Sequence, residues 1–300
     1  MSRLHRALPM MILAVLMAAS AASAADPTPR DQAVAQAKKL MKQGRHRDAA
    51  EAFRKAGKLG EGPCFDCLVG LAGALSGLGR HSEAVAAARE ALQIPGIHPT
   101  RAALAYNELG AAQANESERN FDEAESNLRH AIDLGQDSVP VARYNLAELL
   151  RRRGRAAESA KMARSYLAVD PMGQKAREAR IVLCGVAAER GVPRPDTGQA
   201  IRMTNAKAAD APRRLYAPSD VNLRSHATGL AGSKVRSHMI FELLVDQDGC
   251  VRRVEVLQEA NKALAQSFAE AMRQWIYLPK MVDGQPVAVL WQEKIKLDIG

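Results

Sequence analysis

Two hydrophobic periods divide this chain. Up to residue 190 the apolar and small residues follow helical spacing and the pattern repeats; from Val235 onward they alternate in twos. In the alternating part Met239, Phe241, Leu243 and Val245 share one face, as a half-buried strand requires. Asp246, Gln247, Asp248 and Gly249 supply turn chemistry, and Val254 and Val256 carry a returning strand, so a β-hairpin is predicted. From Asn261 the period changes. Leu264, Phe268, Ala271, Met272 and Trp275 make one stripe at helical spacing, which Pro279 is expected to end. Asp283-Gly284 then turns the chain into a last strand, Val287 to Ile299. The predicted order is strand, strand, helix, strand, with the helix laid across one sheet face.

The helical part contains four copies of one unit. Gly-x-x-x-x-small occurs at Gly44 to Ala49, Gly79 to Ala84 and Gly154 to Ser159, while the third copy has Phe121 to Ala124 in frame but lacks the Gly. Seven residues after these anchors stand Ala56, Ala91, Ala131 and Tyr166; seven before the glycines stand Ala37, Ala72 and Ala147, with Gly110 as the counterpart in copy three. The anchors are 35, 40 and 35 residues apart. This pattern is similar to the tetratricopeptide repeat, a helix–turn–helix with a period near 34. Small residues belong where the two helices of a repeat cross, because larger ones would hold the axes apart. Leu71, Leu109 and Leu146 would fill the groove beside them, and Asp170-Pro171 would end the fourth repeat. Asn115 to Asn120 predicts a longer exposed loop in repeat three, and Gln174 to Glu189 a capping helix.

Such solenoids bind partners on the concave surface formed by the first helix of each repeat. By register that surface includes Lys38, Asp66, Asn107, Tyr144, Glu148 and Arg151, with Tyr144 and Arg151 suited to gripping a peptide. For each residue alone, a solvated helix face is the alternative. Some tetratricopeptide domains clamp a terminal carboxylate with Lys and Asn, but Val34 and Val69 occupy two of those positions here, which argues against that mode.

The C-terminal stretch resembles the C-terminal domain of the TonB family of Gram-negative envelope proteins. The resemblance rests on Phe241, Leu243, Val245-Asp246, Asp248-Gly249, Val251, Val254, Val256-Leu257, Phe268, Ala271, Trp275, Tyr277, Pro279, Asp283-Gly284 and Pro286-Val287. The family's opening Tyr-Pro box is missing; only Tyr216, Ala217, Pro218 and a loose Gly232 stand there. The resemblance implies recognition by β-augmentation, in which an unpaired sheet edge accepts an extended peptide from an outer-membrane transporter. The last strand would be that edge, through Val289, Leu290, Trp291, Gln292 and Lys294. The expected class is therefore α+β: an all-α tetratricopeptide superhelix followed by a small β-β-α-β domain.

The N-terminus reads as an export signal. Arg3 and Arg6 precede an apolar run, Ala7 to Ala19, and Ala22-Ser23-Ala24 offers a small-x-small cleavage site. An uncleaved inner-membrane anchor is the rival reading, against which the apolar run falls short of the ~20 residues that span a bilayer. The expected divisions are a leader at 1–24, a solenoid at 25–190, a mobile linker at 191–234 broken by Pro193, Pro195, Pro212 and Pro218, and a C-terminal domain at 235–300. Within the linker, Leu215 to Leu223 is a candidate for packing on the sheet in place of the Tyr-Pro box.

The formal charge of +9 falls to +7 without the leader arginines and is thinly spread; from Arg236 onward eight basic residues meet nine acidic ones. Nucleic-acid binding would need a basic face with aromatic platforms, and neither is present. Diffuse charge of this kind favours solubility, with peripheral contact to an anionic membrane as the lesser reading.

Cys64-Phe-Asp-Cys67 opens a helix after Gly62-Pro63. In an oxidising compartment it is expected to form a local disulfide at the start of repeat two, although a helix N-terminus also suits a reactive thiol. Cys184 and Cys250 are either free or bridge the two domains. No His or Cys has ligand spacing for a metal, no cofactor motif occurs, and no GxSxG, HExxH or P-loop is present. Asp246 and Asp248 read as turn formers, Trp275 as core, and Trp291 as core or contact residue. The expectation is a non-enzymatic periplasmic interaction protein with a protein or peptide partner in the envelope, an outer-membrane protein among the candidates. An energy transducer of the TonB type and a thiol-redox factor are the alternatives.

Overall fold

In a computed structural model of the chain, residues 26–186, 200–203, 212–217, 235–259 and 261–299 are described. The expected leader and most of the expected linker lie outside them. The first region is a stack of antiparallel helix pairs: α1 (Pro29–Lys42) with α2 (His46–Gly57), α3 (Phe65–Gly77) with α4 (His81–Leu92), α5 (Pro99–Glu116) with α6 (Phe121–Gly135), and α7 (Val141–Arg152) with α8 (Ala156–Val169). A final helix, α9 (Ala176–Val186), closes the stack on α7 and α8.

The small anchors do what crossing geometry requires. Ala49, Ala84, Ala124 and Ser159 are fully buried, as are Ala37, Ala72, Ala147, Ala56, Ala91 and Ala131. The anchor glycines earn their place in the turn: Gly44, Gly79 and Gly154 have φ of +72°, +73° and +70°, a left-handed conformation that a Cβ disfavours. In repeat three the extra residues do not form the predicted loop. They lengthen α5 by more than a turn over its neighbours and end it in a 3-10 turn, Glu118–Asn120, capped by Ser117. Helix was the cheaper solution because Ala111, Ala112, Ala114 and Gln113 continue α5 with good helix formers.

Successive first helices (α1, α3, α5, α7, α9) pack on one another, and each second helix packs between two of them. The first helices therefore form the inner, concave layer.

The second region holds β3 (Val235–Val245), β4 (Val251–Gln258), α10 (Lys262–Met272), β5 (Ile276–Tyr277), β6 (Lys280–Val282), β7 (Gln285–Val287) and β8 (Val289–Ile299). The predicted order is present as β3, β4, α10 and β8, with a small β6–β7 hairpin before a last strand that begins at Val289. Met239, Phe241, Leu243 and Val245 pack with Leu264, Ala265, Phe268 and Met272 of α10, whose N-terminus is capped by Asn261. The helix ends at Met272, earlier than Pro279 implied; Trp275 is nonetheless core, held beside β5. Gly249 is obligatory in the hairpin turn, since at its φ of +88° a Cβ would lie 2.0 Å from the Tyr277 carbonyl oxygen.

The expected linker contributes structure. Residues Ile201–Met203 form β1 and Arg214–Tyr216 form β2. Strand β1 pairs in parallel with the start of β8, giving a sheet of order β1-β8-β3-β4, and β2 pairs antiparallel with β5. Of the segment expected to replace the Tyr-Pro box, Leu215 and Tyr216 lie in β2; residues 218–223 are outside the described residues.

The two regions are joined. Cys184 of α9 is disulfide-bonded to Cys250 at the end of the β3–β4 turn, and Arg164 of α8 pairs with Asp248 in the same turn. Asp246 holds that turn from within: its Oδ1 accepts from the amides of Asp248 and Cys250, and its Oδ2 from Arg252. Burial pushes the Asp246 carboxyl up, against the pull of Arg252.

Candidate functional site in the concave layer

The six predicted concave residues fall into three groups. Lys38 and Arg101 both approach the Asp66 carboxylate, at 3.9 and 3.3 Å. All three are well exposed, so these pairs add little stability and leave the charges accessible. Arg101 also lies over the Phe65 ring, 4.5 Å from its centroid.

Asn107 sits deeper. It is 2% exposed, its Nδ2 donates to Glu108 Oε1 at 3.1 Å, and its Oδ1 accepts from Asn145 Nδ2 at 2.9 Å. The bond joins α5 to α7 one repeat on. Burial raises the Glu108 carboxyl to about 7, offset in part by the Asn107 hydrogen bond. Gly73 of α3 makes room for it; a Cβ there would stand 3.3 Å from Glu108 Oε2. Neither Glu108 nor Asn145 was identified from the sequence. The signal available was the placement of Asn145 one repeat after Asn107, 38 residues on.

The third group is the most developed. Tyr144, Glu148 and Arg151 of α7 come together with Glu178, Ile181, Val182 and Gly185 of α9 around an open cavity of about 460 Å³. One turn separates Tyr144 from Glu148, and Arg151 follows at the next position on that face. Arg151 holds Glu148 through two hydrogen bonds, Nε to Oε2 at 3.1 Å and Nη2 to Oε1 at 2.5 Å. Tyr144 leans on the Tyr166 ring and carries Lys175 5.4 Å from its centroid. Burial, then Glu148 and Glu178, push its hydroxyl up, so it stays a neutral donor at ordinary pH. Ile181 is 38% exposed and gives the cavity an apolar wall. An aromatic face, an apolar wall, a cation and two carboxylates in one groove match an extended peptide better than a small polar metabolite. The contribution of α9 was not visible in the sequence, because a capping helix carries no repeat register.

The predicted sheet edge needs correction. Val289, Leu290 and Trp291 are not an open border; Ile201, Arg202 and Met203 pair with them. Trp291 is partly buried against the core, and its Nε1 donates to Glu293. Gln292 and Lys294 lie beyond β1 on the exposed part of β8. The physical reason is the Pro-containing linker itself: a three-residue extended piece, Ile201-Arg202-Met203, satisfies backbone groups that would otherwise face water. Arg202 adds an ion pair to buried Glu242 of β3.

Cys64 and Cys67 are disulfide-bonded at the start of α3, as expected, and all four cysteines are paired. Among the described residues no group of three or more His, Cys, Asp or Glu is placed to hold a metal ion. Nor is any described helix long and apolar enough to cross a membrane.

The family model for the tetratricopeptide repeat matches residues 34–102 and 109–173, the region of α1 to α8. Solved structures similar to this chain include MamA from Desulfovibrio magneticus RS-1 (14% identity, 53% of this chain and 85% of that one, TM-score 0.40). Another is YrrB, described as a TPR protein with an unusual peptide-binding site (19%, 52% and 76%, 0.37). A third is Bacillus thuringiensis PlcR in complex with the peptide PapR7 and DNA (13%, 55% and 64%, 0.46). No curated protein matches.

Proposed function

We propose that this chain, whose helical half is built of tetratricopeptide repeats, is a scaffold that binds an extended peptide segment of a protein partner through its concave layer. The observation that carries the reading is the groove of Tyr144, Glu148 and Arg151 against Glu178 and Ile181. Glu148 and Glu178 favour a basic side chain in the ligand, and Tyr144 with Ile181 an apolar neighbour. The finer reading places the protein in the Gram-negative periplasm. It is supported by the signal-like first 24 residues and by two disulfides, which persist in oxidising compartments. The same reading takes the second region as a TonB-like C-terminal domain, supported by its strand–strand–helix–strand order, with Gln292 and Lys294 of β8 as its remaining edge contacts.

The test is selection of peptides from a displayed random library on the full-length oxidised chain, followed by affinity measurement. Tyr144→Ala and Arg151→Ala together are expected to weaken the selected peptides at least tenfold, and N-terminal sequencing of the exported protein to begin at Ala25. Peptides that bind the double variant as tightly as the native chain would defeat the concave-groove assignment.

A further inference from the structure

Outside the concave layer, the Cys64–Cys67 pair combines three features that a purely structural staple does not need. First, the two sulfurs are unequal. Cys64 is partly exposed, whereas Cys67 is 3% exposed and packs into the core of the first repeats. Second, Cys64 is the N-cap of α3, and its Sγ accepts a hydrogen bond from the Cys67 amide at 3.2 Å. Free amides and the positive end of a helix stabilise a thiolate formed there. Third, both cysteines are among the residues lining an open cavity of about 300 Å³ on the outer side of the stack, between α2 and α4 and floored by α3. Phe53, Leu68 and Leu71 make its apolar surface, with Arg54 and Lys58 on one side and Glu90 on the other. The loop that brings Pro63 and Cys64 to this position is fixed by Arg30, which donates to the carbonyls of Leu59, Glu61 and Gly62. A comparable outer groove between α6 and α8 is lined by no cysteine.

The second disulfide shares the unequal exposure, with Cys184 partly exposed and Cys250 buried, but neither of its cysteines caps a helix N-terminus. Cys250 is buried in the junction between the two regions, and no helix N-terminus faces Cys184, which lies near the end of α9.

We infer that Cys64–Cys67 is a dithiol–disulfide exchange site whose substrate is a pair of cysteine thiols on an extended protein segment laid in the outer groove. It is independent of the concave-layer reading. A substrate thiolate attacks Cys64 Sγ along the S–S axis. A mixed disulfide forms between the substrate and Cys64, and the Cys67–Cys64 bond breaks with its electron pair leaving on Cys67, which takes up a proton. The second substrate thiolate then attacks the first substrate sulfur, forming the substrate disulfide and releasing Cys64 as a thiolate held by the α3 amides. The substrate loses two electrons, which the protein disulfide gains; of the two protons its thiols give up, one ends on Cys67 and the other in solvent while Cys64 remains a thiolate. Return to the oxidised form requires a second disulfide as oxidant, and oxidised glutathione serves in the assay. Attack at Cys64 rather than Cys67 follows from exposure, and release of Cys64 in the second step follows from the stability of its thiolate.

The experiment uses the full chain with Cys184–Cys250 intact. Cys67→Ser leaves Cys64 as the single free thiol, and Cys64→Ser leaves Cys67. Each is reacted with oxidised glutathione at pH 6 and pH 8, and mixed disulfide is counted by mass spectrometry, with circular dichroism confirming that both variants fold. Expected is reaction of Cys64 at least tenfold faster than Cys67, with less loss of rate at pH 6 than glutathione's own thiol shows. Arg54→Ala with Lys58→Ala, changes in the groove that touch neither sulfur, should slow the reaction with this anionic probe several-fold. Equal rates for the two cysteines, or a Cys64 whose rate falls with pH as steeply as a free thiol's, would overturn the assignment and leave a structural staple. If either single variant fails to fold, the native chain equilibrated with glutathione buffers decides. Reduction of Cys64–Cys67 at ordinary millimolar ratios, with Cys184–Cys250 still oxidised, supports exchange; co-reduction of both, or neither, opposes it.

Discussion

Arg164 on α8 reaches Asp248 in the β3–β4 turn with Nη2 2.9 Å from Oδ2 and Nε 3.2 Å from both carboxylate oxygens, across 84 residues of sequence. Two residues further along the turn, Cys250 is bonded to Cys184 of α9. The helical stack and the sheet are thus tied at one turn by an ion pair and a covalent bond. The pair is largely shielded on the Asp248 side, where charge-assisted hydrogen bonds count for more than at an open surface.

The first prediction concerns this junction. Cys184→Ser removes a loop closure worth about 4 kcal/mol in the chain-entropy account, and Arg164→Ala removes about 1–3 kcal/mol. Either tie alone should keep the regions together, and loss of both should release them. Small-angle scattering should show the radius of gyration unchanged in each single variant and increased in the double one. An unchanged radius in the double variant would mean that other contacts hold the junction.

Gly110→Ala should destabilise the stack by about 1–3 kcal/mol. The added Cβ would lie 2.8 Å from Leu128 Cγ and 2.9 Å from the Ala124 carbonyl oxygen. The backbone atom cannot step aside as a side chain can. Thermal unfolding checks this, and a melting temperature equal to the native one would remove Gly110 from the helix-crossing account.

Glu108 predicts a pH dependence. Its folded-state value of about 7 lies above the ordinary carboxyl value of 4.5. The folded state therefore holds the proton more tightly than the unfolded one, and stability is greatest below pH 4.5 as far as this group is concerned. It declines as pH rises towards 7, by on the order of 2 kcal/mol once partial solvent access is allowed for. Denaturant unfolding of Glu108→Gln against the native chain should show the variant gaining relative stability from pH 5 to pH 8. A constant difference across that range would contradict the assignment.

The covering strand gives a fourth test. Glu242 is buried on β3, and Arg202 of β1 is its ion-pair partner. Arg202→Ala should cost about 2–4 kcal/mol, because it leaves a buried carboxylate without its cation. Adding Glu242→Gln should recover most of that loss. Chemical denaturation of the two single variants and the double one completes the cycle, and additive losses would show that β1 docks without this pair.

Much of the solenoid was legible because its physics is local and periodic. Ala49, Ala84, Ala124 and Ser159 recur at nearly constant spacing, and only small residues can stand where helices cross. The alternation of Met239, Phe241, Leu243 and Val245 was equally readable, since one period of two fixes one buried face. The concave site was legible only in part. Tyr144, Glu148 and Arg151 lie on one repeat's own register, but their cavity is completed by Glu178 and Ile181 from a helix outside that register. Asn107, expected on the binding surface, is instead buried, and its bond to Asn145 depends on how far successive repeats rotate.

By itself, then, the sequence determined the repeat helices of the stack, the strands of the β3–β4 hairpin and the faces they bury, and where the chain must turn through a glycine. Those choices depend on near neighbours and on a short period. Only the tertiary structure decided that Ile201 to Met203 would cover the start of β8, that Cys184 would find Cys250, and that Cys64 would stay partly exposed beside a groove while Cys67 is buried. Each of these joins groups whose separation along the chain carries no pattern, and they meet because packing of the two layers brings unsatisfied backbone, sulfur and charge within reach.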